Sequence, residues 1–291
     1  MEYTIENDYL KITASEEGGE LRSVYDKKGG RELLWQGDPQ FWSDRAPNLF
    51  PYIARLTEGK YTFEQKEYAM QIHGIVMYAH LCGSVSGKEI CFELTSNEKT
   101  KVCYPFDFVY RVRYRLENNT LSVRYEVENK DEKCMCFGIG AHPGFRVPFV
   151  EGTGFEDYDL EFPRAEAPER ICFSEDCFVT GQEPFDGLEN GKLKCVHSLF
   201  DEDAIVLERA GSEVLLRCRK TSAAIRMECG KMRYLGLWHM PRTQAPYICM
   251  EPWSSLPSRK GIVEDLEKQE NLLRLQPEET YTDTIRITVL P

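Results

Sequence analysis

Phe108-Val-Tyr-Arg-Val-Arg-Tyr-Arg-Leu116 alternates with a period of two: Phe108, Tyr110, Val112, Tyr114 and Leu116 fall on one face, Arg111, Arg113 and Arg115 on the other. A helix would scatter these residues around its axis, whereas a strand with one dry and one wet face sorts them. Glu117-Asn-Asn-Thr120 reads as a turn. After it, Leu121, Val123, Tyr125 and Val127 alternate against Ser122, Arg124, Glu126 and Glu128. The two runs predict a long antiparallel hairpin in which the arginines of one arm meet the acidic residues of the other.

The same grammar recurs outward from this hairpin. Tyr3–Ile5 and Leu10–Thr13 flank a Glu6-Asn-Asp8 turn, Val214–Cys218 precedes Ala223–Cys229, and Tyr281–Leu290 closes the chain. Glycine and proline fall between such segments, and the clearest helical stretch, Ile262 to Leu273, is short. No repeat, low-complexity tract or linker divides the 291 residues. The expected architecture is therefore all-β: a large, mostly antiparallel β-sandwich forming one domain over residues 1–291.

Hydrophobic residues make up 42% and charged residues 29%, which excludes a disordered chain. The net charge of -12 is local, because residues 151–213 hold 17 acidic and 5 basic side chains and the remainder balances. Such a run reads as solvated loops. Without a basic face, neither nucleic acid nor an anionic membrane is an expected partner. The longest uncharged stretch, Tyr68 to Gly87, contains Gln71, His73 and His80 and reads as buried strands rather than a bilayer span. Met1 to Asp8 lacks the basic and apolar regions of a signal peptide, and the eleven cysteines form no evident disulfide or zinc pattern. The expectation is a cytoplasmic protein whose reduced thiols serve as small core residues.

Four segments set polar groups within apolar surroundings: Ala46-Pro-Asn-Leu-Phe-Pro-Tyr-Ile-Ala-Arg55, Met70-Gln-Ile-His-Gly-Ile75, Phe137-Gly-Ile-Gly-Ala-His-Pro-Gly-Phe145 and Pro246-Tyr-Ile-Cys-Met-Glu-Pro-Trp253. His142 and Glu251 each precede a proline, which favours extended backbone at a strand end. Taken singly, each residue has a plainer reading. A histidine in an apolar segment is more often a hydrogen-bonded core residue than a ligand, Glu251 can satisfy a backbone amide, and Arg55 can pair with a carboxylate. His73, His142 and Glu251 also form a set of metal-donor types, but no local metal motif joins them, and no metal is expected. Physical reading alone yields a candidate acid and base.

The order of these motifs resembles the aldose 1-epimerase (galactose mutarotase) family: Leu-Phe-Pro and an arginine, then His-Gly, then His-Pro-Gly-Phe, then Glu-Pro-Trp, from about Asn48 to Pro277. Phe200-Asp-Glu-Asp-Ala204 matches a family segment that carries a sugar-binding aspartate. The resemblance implies the galactose mutarotase-like supersandwich fold and cofactor-independent interconversion of the α and β anomers of a free monosaccharide. It assigns Glu251 as general base, His142 as general acid and His73 as a second active-site histidine. Arg55 and Asp203 become hydroxyl-binding residues, with Asp201 close by on what reads as the same strand face. Trp238 and Phe145 are candidate platforms for the ring's apolar face. The residue types suit the reaction. Ring opening takes a proton from the C1 hydroxyl and gives one to the ring oxygen, work for a carboxylate and an imidazole that then exchange roles.

The chain departs from the family at two points. Ile75-Val76-Met77 stands where relatives often have Phe-Ala-Arg, and Ala54 replaces a common glycine. The lost arginine argues for an unphosphorylated sugar over a hexose 6-phosphate. A non-catalytic sugar-binding protein is the other alternative, although it would need no matched acid and base. A glycoside hydrolase would usually need a second carboxylate, and no second motif carries one. His80, His197 and His239 take no role and are read as structural or surface residues.

Overall fold

A computed structural model describes all residues, 1–291. Strands account for 47% of the chain and helix for 7%, and every pair of strands is antiparallel. The opening hairpin forms as expected. Phe108–Glu117 pairs with Thr120–Asn129, with Leu116 opposite Leu121, and Asn118 adopts φ +52, the positive φ a two-residue hairpin turn requires. Phe108, Tyr110, Val112, Tyr114 and Leu116 are all buried. Arg111 lies opposite Glu126 on one neighbouring strand and Glu93 on the other, 2.6 Å from each carboxylate.

This hairpin lies within a nine-stranded sheet that runs from Lys192–Lys194 at one edge to Cys82–Ser86 at the other. An eight-stranded sheet holds Glu169–Phe173, Ile205–Glu208, Tyr234–Trp238, Tyr247–Trp253, Gly140–Ala141 and Asn48–Leu49 in its interior and at one edge, with Gly144–Arg146 also paired to Tyr247–Trp253. A continuous core of 67 buried residues draws on both sheets. A polar node sits inside it. Asn48 donates to Gly18 O, Gly19 O and the Tyr114 hydroxyl at 3.0–3.1 Å, and its carbonyl accepts from the Tyr125 hydroxyl at 3.0 Å. One buried amide thereby fixes the strand leading to Arg55 against the nine-stranded sheet.

Three expectations fail, each through tertiary contacts. Ile262 to Leu273 is not a helix, because its backbone is already committed: Glu264 O accepts from Thr62 N–H and Leu266 N–H donates to Thr62 O. Glu264 itself is buried and holds both the backbone and the guanidinium of Arg259. The α-helix is Glu98–Cys103, where Asn97 and Thr100 cap each other reciprocally. Tyr68 to Gly87 is mostly turns, ending in the exposed edge strand Cys82–Ser86. The acidic region is not loop alone: it contributes Tyr158–Glu161, Glu169–Phe173, Val179–Pro184 and Ile205–Glu208 to the two sheets. The eleven cysteines are all free, and of these only Cys136, Cys195, Cys218, Cys229 and Cys249 are buried. No helix is long and apolar enough to cross a membrane.

Replacing Asn48 with alanine strands the Tyr125 hydroxyl and the Gly18 carbonyl in the core, while the Tyr114 hydroxyl keeps only its bond to Gly19 O. Urea denaturation is expected to show a loss of about 2–4 kcal/mol; a loss below about 1 kcal/mol would show that the node is not a principal tie between the sheets.

Candidate active site

Tyr247–Trp253 is buried along its whole length. Strand alternation sends Cys249, Glu251 and Trp253 to one face. The neighbouring Tyr234–Trp238 places Gly236 opposite Glu251. A Cβ at Gly236 would stand 3.2 Å from the Glu251 Cβ and from the Trp253 ring, so glycine leaves these two side chains their room.

His142 arrives from the turn between Gly140–Ala141 and Gly144–Arg146, its N–H donating to Pro47 O. Its ring lies over Trp42, with centroids 4.8 Å apart, and meets Trp238 and His73 edge-on at 5.7 and 5.5 Å. His142 Nε2 and Glu251 Oε2 are 3.1 Å apart. They are not aligned as a hydrogen bond to each other, and Glu251 Oε2 and His142 Nδ1 are buried without any hydrogen-bond partner. Burial raises the Glu251 pKa well above the carboxylate range, and Asp203 adds to this against the opposing Trp253 indole. Burial, then His73, pushes His142 well below the usual histidine value. Together these directions describe a pair that holds one proton and resists both gaining a second and losing the first.

His73 is delivered by a backbone zip. His73 N–H donates to Ala54 O, Ile75 N–H donates to Phe50 O, and Ala54 N–H donates to His73 Nδ1 at 3.2 Å. Gly74, at φ +85, passes so close that a Cβ would lie 2.3 Å from Phe50 O. The spacing between the Leu-Phe-Pro and His-Gly motifs is thus the length of a loop returning to its own start. Burial, then Arg55, brings the His73 pKa down to about 4. The ring is neutral at pH 7 and, with Nδ1 accepting, carries its proton on Nε2.

Glu251, His142, His73, Arg55, Asp203 and Trp238 all line one cavity of about 680 Å³. Arg55 has no ion pair within the protein, so its guanidinium is uncommitted. Asp203 is not on a strand: it follows the short turn His197–Phe200 at φ +76, and its carboxylate accepts from the Cys177 thiol at 2.8 Å. Asp201 lines the cavity as well, from the same turn rather than a shared strand face. Phe145 is fully buried in the core and is no platform. Sequence reasoning missed Trp42, Asp44, Arg170, Cys177 and Trp253. Of these, Trp253 was legible, because it sits two residues beyond Glu251 on a strand.

The cavity wall carries six carboxylates, Asp44, Glu175, Asp201, Glu202, Asp203 and Glu251, against the guanidiniums of Arg55, Arg170 and Arg242. Part of the acidic segment therefore faces the site. The metal-donor atoms brought within 4.8 Å are those of His142, Cys249 and Glu251, with His73 outside the group. Burial holds the Cys249 thiol well above its ordinary pKa, and a neutral thiol is a poor ligand. Among the unassigned histidines, His80 is exposed beside Glu17. His239 donates from Nδ1 to Met240 O and accepts from His197, tying the end of the Trp238 strand to the turn that leads to Asp203.

A family model described as aldose 1-epimerase matches residues 1–288. The plasmid-borne protein LacX of Lactococcus lactis subsp. lactis is 33% identical over the full length of both chains. Among solved structures, a galactose mutarotase related enzyme from Lactobacillus acidophilus superposes with a TM-score of 0.94 at 31% identity, covering 100% of this chain and 98% of that one. A galactose mutarotase-like protein from Lactobacillus casei gives 0.94 at 29%, covering all of both.

Ala54, where the resemblance implies a glycine, adopts φ +52, a left-handed conformation that costs a residue with a Cβ about 1–2 kcal/mol. Introducing that glycine, as Ala54→Gly, is expected to stabilise the fold by about 0.5–1 kcal/mol after the extra freedom of the unfolded chain is subtracted. Thermal or urea unfolding checks this, and a destabilised variant would refute it.

Proposed function

The chain belongs to the aldose 1-epimerase family, and from this we propose that it interconverts the α and β anomers of a free, unphosphorylated aldose without a cofactor. The observation that carries the proposal is the Glu251–His142 pair, buried, 3.1 Å apart, and aimed past each other with unpartnered polar atoms. A sugar presents its C1 hydroxyl and its ring oxygen on the same carbon, so two groups this close can serve both. The pair's one proton, which burial rests on Glu251, crosses the 3.1 Å to His142 as the sugar docks; Glu251 then takes the hydroxyl proton while His142 gives one to the ring oxygen. The C1–O5 bond breaks, an aldehyde forms, and rotation about C1–C2 turns its other face to the oxygen. Ring closure then runs the transfers in reverse.

Each group begins and ends the cycle in the same state, because one proton leaves the pair as one enters. Neutral His73 donates from Nε2 to a sugar oxygen, and Arg55 and Asp203 engage ring hydroxyls. Trp238 covers an apolar face of the ring. The excess of carboxylates over guanidiniums in the cavity supports a neutral sugar over a phosphate ester.

Mutarotation of freshly dissolved α-D-glucose and α-D-galactose, followed by polarimetry, tests the reading. Glu251→Gln and His142→Asn are each expected to lower kcat by about 10²–10⁴-fold while the circular dichroism spectrum is retained. Acceleration of glucose 6-phosphate alone, followed by NMR exchange, would overturn the assignment of a free sugar. Saturable sugar binding with no acceleration would leave a binding protein instead.

A further inference from the structure

At about 680 Å³ the cavity lies in the range that encloses drug-sized ligands, well beyond one pyranose ring of a dozen heavy atoms. Its two ends differ. The Glu251–His142 end is buried, whereas Ile72 and Tyr78 on the same wall are 39% and 50% exposed. Only eight large hydrophobic side chains are exposed in the whole protein, and these two share this mouth. Tyr78 is held in place, its hydroxyl donating to Ile72 O at 3.2 Å.

A continuous wall joins the two ends. His142 lies over Trp42, and Trp42, Asp44 and Tyr78 line the same cavity as His142. Arg170 lines the cavity from the Glu169–Phe173 strand and has no ion pair. An exposed aromatic ring, with a carboxylate and a free guanidinium lining the same cavity, suits a pyranose: its C–H face packs on the ring and its hydroxyls reach the charged groups.

We propose that the outer half of the cavity is a second sugar subsite, and that the preferred substrate is a reducing disaccharide rather than a monosaccharide. This rests on the anomer-interconversion reading. The reducing ring places C1 at Glu251 and His142, the most buried point, so the side of that ring remote from C1 faces the mouth. A glycosyl group carried there stacks on Tyr78 beside Ile72, with Asp44 and Arg170 taking its hydroxyls.

Binding and turnover are measured separately, so that the subsite and the chemistry can fail independently. Quenching of tryptophan fluorescence, with Trp42 and Trp238 in the cavity wall, reports affinity for maltose, lactose and melibiose against glucose and galactose; polarimetry reports kcat/KM for the same sugars. At least one disaccharide is expected to bind about 10-fold more tightly than its reducing monosaccharide, a difference of about 1.4 kcal/mol. In Tyr78→Ala the disaccharide-to-monosaccharide ratio should fall toward one, and Tyr78→Phe, which keeps the ring, should retain it. If no sugar turns over but this binding pattern holds, the subsite stands and the catalytic reading falls. Equal affinity for disaccharides and monosaccharides in the wild type, or equal losses for both in Tyr78→Ala, would overturn the proposal.

Discussion

Every residue of the strand Tyr247–Trp253 is buried, yet it carries a carboxyl group at Glu251. A buried carboxylate costs several kcal/mol unless something nearby compensates it. Here the neighbour is an imidazole that burial also drives toward neutrality. The fold has placed an acid and a base where neither is content with water and neither is tied to the other by a hydrogen bond. That constraint organises the rest of the site. Gly236 makes room beside the carboxyl, Trp42 and Trp238 wall off the imidazole, and a neutral His73 keeps a second positive charge away from His142.

The site draws on distant parts of the chain, and elementary backbone chemistry brings them together. Asn48 ties its short strand to Tyr114 and Tyr125 of the long hairpin. Phe50 and Ala54 then receive the His73 loop through main-chain hydrogen bonds. Further along, the His197–His239 contact anchors the turn that presents Asp203. Each tie acts on backbone or on a buried polar group, so each positions a side chain without touching the sugar proposed to bind there.

Much of this was legible in the sequence, for reasons particular to each element. The hairpin at Phe108–Asn129 could be read because its face alternation is strict and its turn needs only Asn118. Of the six proposed site residues, Arg55, His73, His142 and Glu251 stood out as polar groups within apolar, proline- and glycine-punctuated segments, whereas Asp203 came only with the family resemblance and Trp238 only as a candidate ring platform. Ile262 to Leu273 misled because local apolar spacing says nothing of Thr62, 200 residues earlier, which takes its hydrogen bonds. Trp42 and Cys177 left no signal, since a lone aromatic or thiol in a loop has no period or motif to announce it. The acidic segment misled through its charge: strands with wet faces and a cavity wall have the composition of solvated loops.

The central claim is that Glu251 and His142 share a single proton in the active form of the site. The pH dependence of kcat/KM for mutarotation, with the uncatalysed rate subtracted, tests it most directly. Because burial lowers the histidine, the second proton joins the pair only below the ordinary histidine range of about 6.5, and activity falls on that acid side. Because burial raises the carboxyl, the last proton leaves only above the ordinary range of about 4.3, and activity falls again on the alkaline side. The account predicts a bell with both limbs present and one proton per limb. A profile with a single acid limb near an ordinary carboxylate pKa and no alkaline limb would contradict it.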